Sequence, residues 1–160
     1  DGQLDLSGAT CLSDLCLENM TISSMSLLQC TKLQRLTLLN VKLGDGQLDL
    51  SGATCLSTLK LYNITTSSIT SSISLSQCTK LQRLTLLNVN LGDGQLDLSG
   101  ATCLSDLCLE NMTTSSMSLS QCTKLQSLTL KNVKLGDGQL DLSGATCLSD
   151  LCLENMTISS

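Results

Sequence analysis

Phe, Trp, His and Pro are absent from this chain of 160 residues, and Tyr62 is its one aromatic side chain. Without histidine there is no ready general base near neutral pH and no imidazole ligand for zinc. Without proline or large aromatics, a chain that is 41% hydrophobic has to build its core from leucine. Side chains of one size suit a stack of thin, equivalent layers better than a jigsaw of unequal parts. Charge is sparse as well: 14 acidic and 9 basic residues give a net charge of -5. No basic run stands ready to neutralise phosphates, so nucleic acid is not an expected partner. No apolar run approaches the roughly 18 residues of a membrane span, and no charged-then-apolar leader is visible, so a soluble segment without membrane insertion is expected.

What is present is repetition. The frame Leu33, Leu36, Leu38, Asn40, Val41 and Leu43, of the form LxxLxLxNVxL, restarts at Leu12, Leu56, Leu81, Leu104, Leu125 and Leu148. Every copy keeps leucine at the third and fifth following positions and asparagine at the seventh. The third-position leucines are Leu15, Leu36, Leu59, Leu84, Leu107, Leu128 and Leu151, separated by 21, 23, 25, 23, 21 and 23 residues, one coil per step. Alternate coils resemble each other, so the larger unit runs 44, 48 and 44 residues. Residues 1–44 and 93–136 differ only in Ile22 against Thr114, Leu28 against Ser120, Arg35 against Ser127 and Leu39 against Lys131, which implies tandem duplication. The extra four residues of the longer unit fall within 65–74, expected to be a variable loop. Residues 1–160 are therefore expected to form a single array of seven coils, and a start at Asp1 with a stop partway round a repeat suggests a segment of a longer array.

Within a coil, Leu36-Thr37-Leu38 and Leu48-Asp49-Leu50 alternate with period two and predict two brief strands joined by Ser, Gly and Asn turns. No apolar series at helical spacing persists beyond one turn. The expected fold is a repeat solenoid, a stack of parallel strands with a mostly β or irregular second side and little helix.

These frames resemble the leucine-rich repeat family, whose strand segment reads LxxLxLxxN or LxxLxLxxC followed by xL. The resemblance covers all seven coils in spacing as well as composition. It implies a parallel strand stack whose exposed strand face binds a macromolecule, as in the sensor portion of an innate-immunity receptor. One departure is plain: asparagine sits one place early, and Met20, Val41, Ile64, Val89, Met112, Val133 and Met156 take the family's inward position. An apolar row is expected there, with Asn19, Asn40, Asn63, Asn88, Asn111, Asn132 and Asn155 at the strand exit, where Asn tolerates a left-handed conformation.

A threonine stands two places before each frame, at Thr10, Thr31, Thr54, Thr79, Thr102, Thr123 and Thr146. It is either a hydroxyl row for ice or carbohydrate, or a β-branched column bonding to neighbouring backbone. The ten cysteines fall into three columns: Cys11, Cys55, Cys103 and Cys147; Cys30, Cys78 and Cys122; and Cys16, Cys108 and Cys152 on the strand. Members of one column are at least two coils apart, about 10 Å by strand spacing, beyond disulfide reach. Most are expected to be small buried hydrophobes, with the strand column reaching the surface. No CxxC occurs, so neither a metal nor another cofactor is expected. Unpaired thiols favour a cytoplasmic location. Against this, Asn19, Asn63, Asn111 and Asn155 head Asn-x-Thr sequons, candidate N-glycosylation sites if the protein is extracellular.

The outward strand positions alternate acidic and basic coils, predicting cross-strand ion pairs of Asp14 with Arg35, Arg83 with Asp106, and Lys131 with Glu110 and Glu154. Arg35, Leu39, Lys60, Tyr62, Arg83 and Leu87 interrupt this small, polar face with larger groups and are the candidate partner-binding residues. No catalytic residue is nominated, and no enzymatic activity is expected. The function predicted is a recognition module that binds a protein or other macromolecule through the strand face. The alternative is an extracellular, glycosylated structural protein whose coils stack end to end into filaments.

Overall fold

A computed structural model of the protein describes residues 2–44, 48–66, 72–91, 94–136 and 139–157. The variable loop expected over 65–74 lies outside these at 67–71, as do the glycine-rich junctions at 45–46, 92–93 and 137–138. Among the described residues ten strands form: β1 (Gly2–Leu4), β2 (Asp14–Met25), β3 (Arg35–Leu43), β4 (Thr58–Thr66), β5 (Ile73–Ser74), β6 (Arg83–Val89), β7 (Leu96–Asp97), β8 (Asp106–Thr114), β9 (Ser127–Leu135) and β10 (Asp150–Glu154). No helix is present among them, and so none that is long and apolar enough to cross a membrane.

The chain is a parallel β-solenoid. Its main sheet has the order β1-β2-β3-β4-β6-β8-β9-β10 and pairs the frames in register. Leu36 lies opposite Leu15 on one side and Leu59 on the other, and the same match continues through Leu84, Leu107, Leu128 and Leu151. The second side is thinner. Leu48-Asp49-Leu50 contributes one bridge, Ser26 to Asp49; otherwise β1 pairs with the end of β2 at Ser24 and Met25, the two-residue β5 pairs with β7, and Leu96 bridges to Met117. A column that changes side chain at every step, from Leu-Asp-Leu to Met-Ser-Leu or Ile-Ser-Leu, holds strand geometry only briefly.

Each main strand is entered through two consecutive tight turns. Ala9 N–H donates to the Leu6 carbonyl at 2.9 Å and Leu12 N–H to the Ala9 carbonyl at 3.2 Å; Cys30 and Leu33 repeat the pattern one coil on. The shared pivot points inward at a sharp corner, where only a small side chain fits. It alternates between alanine and cysteine, and Cys30, Ala53, Cys78, Ala101 and Cys122 are fully buried. In odd coils the pivot follows a glycine that lets neighbouring coils close together. A Cβ on Gly52, Gly100 or Gly144 would collide with the backbone of Leu28, Ser76 or Ser120 of the coil before, whereas one on Gly8 would meet nothing within 4 Å.

All seven frame asparagines have φ between 51° and 54°, the left-handed region. This step resets the strand's alternation. After Leu36 and Leu38 turn in, Leu39 and Asn40 both turn out, and Val41 turns in again. The expected apolar row is buried through Val41, Ile64, Val89, Met112 and Val133; Met20, on the first frame, is 40% exposed.

The cysteines depart from expectation. Three are buried, Cys30, Cys78 and Cys122, while Cys11, Cys16, Cys147 and Cys152 are exposed and Cys55, Cys103 and Cys108 half-buried; all ten are free thiols. The column before the frame turns outward, because the buried pivot two places earlier has already taken the inward direction. Burial lifts the thiols of Cys78 and Cys122 to about 11.

Candidate functional site

The register of β3, β4 and β6 brings the six nominated residues together. Leu39 lies opposite Tyr62, and Tyr62 opposite Leu87, forming an apolar strip across three adjacent strands. All three are half-buried. On one flank run Arg35, Thr58 and Arg83, with Lys60 between the two rows; the three cations are exposed. Beyond Leu87 the same row turns polar, through Glu110, Lys131 and Glu154.

The expected ion pairs form in part. Arg35 binds Asp14 and, with Ser13, holds its carboxyl below the usual carboxylate range. Lys131 meets Glu154 at 3.5 Å, chiefly whose charge raises its own affinity for the proton. Arg83 departs from expectation. It lies in register with Asp106, yet it has no ion-pair partner among the described residues, and Asp106 accepts instead from Ser105 Oγ at 2.6 Å. Arg83 is thus an unneutralised cation at the edge of the apolar strip. Among the described residues no cluster of three or more acidic, Cys or His side chains is placed to hold a metal.

On the same exposed side the asparagines form a ladder that the spacing alone does not reveal. Nδ2 of Asn40, Asn63, Asn88, Asn111, Asn132 and Asn155 each donates to Oδ1 of the preceding member, at 2.6 to 3.0 Å. The signal was the unbroken column itself: a left-handed turn accepts glycine as readily, and the sequence uses asparagine every time. The sequon residues Asn19, Asn63, Asn111 and Asn155 all belong to this ladder.

The threonine column is exposed in all seven coils, and among the described residues its hydroxyls make no hydrogen bond within the chain, so the expected bonding to neighbouring backbone is not made. The turn N–H and C=O groups beside it are already paired with one another, leaving those hydroxyls to solvent. On the second side, grooves of about 200, 240 and 320 Å³ repeat beside Asp97, Asp49 and Asp5, each lined by serines and one or two glutamines.

No family model and no curated protein matches this chain. Among solved structures it is similar to the functional domain of InlJ from Listeria monocytogenes, which includes a cysteine ladder. The TM-score is 0.76 at 25% identity, covering 99% of this chain and 33% of that one. The likeness is one of parallel-solenoid architecture over essentially the whole length of this chain, which spans about a third of the other.

Proposed function

We propose that the chain is a leucine-rich-repeat-type recognition array that binds a protein partner through the face formed by β3, β4 and β6, and that it performs no catalysis. The observation that carries this is the Leu39-Tyr62-Leu87 strip with Arg83 left unpaired beside it. An aromatic and two leucines in neighbouring register, edged by cations, fit a partner surface with an apolar centre and a carboxylate rim. The duplicated units add support. Of the four differences between residues 1–44 and 93–136, two exchange Arg35 and Leu39 for Ser127 and Lys131, so the face changes while the buried leucines stay. The filament reading has no comparable observation behind it, although the sequon residues Asn19, Asn63, Asn111 and Asn155 are all exposed.

The test is affinity capture with the folded array, followed by titration of each captured protein against Tyr62→Ala and Arg83→Glu. Each variant is expected to lose about 2 kcal/mol of binding, roughly 30-fold, while the array stays folded, as thermal unfolding will verify. Binding that survives both substitutions, or that maps to residues 65–74, overturns the assignment.

A further inference from the structure

One place before each frame, the column alternates Cys11, Lys32, Cys55, Lys80, Cys103, Lys124 and Cys147. Two neighbouring pairs are in contact: Lys80 Nζ donates to Cys55 Sγ at 3.6 Å, and Lys124 Nζ to Cys103 Sγ at 3.7 Å. Both thiols are free and half-buried. They open onto one cavity of about 290 Å³, lined by Gln34, Cys55, Ser57, Lys80, Gln82 and Cys103, large enough to admit a small oxidant. No carboxylate lines it, and neither lysine has an ion-pair partner among the described residues.

We infer that Cys55 with Lys80, and Cys103 with Lys124, are thiol–amine cross-linking sites that respond to hydrogen peroxide. In the first step the peroxide O–O bond breaks and one oxygen passes to sulfur as Cys–SH + H2O2 → Cys–SOH + H2O. Sulfur is oxidised by two electrons and the peroxide is reduced. In the second step the unprotonated lysine nitrogen attacks Sγ, the S–O bond breaks, and the departing hydroxide leaves as water with a proton from nitrogen. A sulfenamide S–N bond then joins two neighbouring coils, and no further oxidant is consumed. The usual competitor is a second thiol. Here the nearest thiol of the same column is two strand spacings away, about 10 Å, beyond disulfide reach, and the lysine stands between. An added dithiol reverses the link by attacking sulfur and releasing the amine.

The experiment exposes the folded chain to a few equivalents of hydrogen peroxide, digests it without reductant and maps the peptides by mass spectrometry. The expected result is Cys55 joined to Lys80, and Cys103 joined to Lys124, each with the loss of two hydrogens and each released by dithiothreitol. Lys80→Arg and Lys124→Arg change exposed residues, so folding is kept, as thermal unfolding will verify. Each is expected to abolish its own link alone and leave a sulfenic acid that dimedone captures. Dimedone adducts or sulfinic acid at Cys55 and Cys103 of the unsubstituted chain, with no joined peptides, overturn the inference. So does a link that persists in the arginine variants.

Discussion

Asn63 Nδ2 donates to Asn40 Oδ1 at 2.7 Å from a backbone held at φ 53° on both residues. One side chain thus serves two needs, the left-handed step that turns the strand inward and a bond that ties one coil to the next. Asn63→Ala loses the step and two ladder bonds, the one to Asn40 and the one from Asn88; Asn63→Gly loses only the bonds. Left-handed backbone costs alanine about 1–2 kcal/mol, and glycine's extra chain entropy returns roughly 0.5–1 of that difference. Denaturant unfolding is expected to place Asn63→Ala below Asn63→Gly by about 1 kcal/mol. Equal stabilities refute the strain argument.

Leu36 is fully buried between Leu15 and Leu59, so Leu36→Ala is expected to cost about 2–5 kcal/mol through lost transfer energy and a cavity. Leu39 points outward and is half-covered by its neighbours. Leu39→Ala is expected to cost about 1 kcal/mol, the ordinary scale for a single substitution. Chemical denaturation of the two variants compares them directly, and a larger loss at Leu39 contradicts the inward assignment of the frame.

Gly8 and Gly100 share the local sequence Leu-Ser-Gly-Ala-Thr and differ in what lies beside them. Gly100→Ala drives a methyl group into the backbone of Ser76 and is expected to cost about 1–3 kcal/mol as overpacking. In the 160-residue chain by itself Gly8→Ala meets no coil before it and is expected to be tolerated. Midpoints of thermal unfolding decide between this account and one in which glycine serves only the local turn, where both changes cost the same.

Burial raises the Cys78 and Cys122 thiols to about 11, above their unfolded value. Their contribution to stability is therefore complete below the unshifted thiol value of 9.0 and is lost as pH rises from there through about 11. Replacing both by alanine, the pivot that odd coils already use, is expected to flatten this alkaline loss relative to the unsubstituted chain. In the folded protein at neutral pH, iodoacetamide is expected to spare Cys30, Cys78 and Cys122 while labelling Cys11, Cys16, Cys147 and Cys152. Rapid labelling of Cys78 contradicts its burial.

The frame was legible because Leu36 and Leu38 do one thing in every coil: they point in, and a repeat that fixes their spacing fixes the register. The left-handed asparagine was legible for the same reason, since few residues tolerate that conformation. Cys55 was not, because a thiol suits core and surface alike. The discriminating sign lay in the neighbouring coil, where lysine occupies the same column. The asparagine ladder and the missing Arg83 pair depend on side-chain reach across coils. Arg83 and Asp106 are in register as spacing predicts but do not pair, and the Ser105 bond does not explain it, since Asp14 accepts from Ser13 in the same way and still binds Arg35.

Every rung of the asparagine ladder points the same way, with Nδ2 toward the lower-numbered coil and Oδ1 toward the higher. The aligned amides add head to tail and polarise one another, so the row acts as a small electric dipole along the solenoid axis, akin to that of a helix. Its positive end lies at Asn19, whose Nδ2 faces the Glu18 carboxylate at 3.3 Å. The stack thus has electrical polarity as well as sequence direction: each coil turns amide hydrogen toward one neighbour and amide oxygen toward the other.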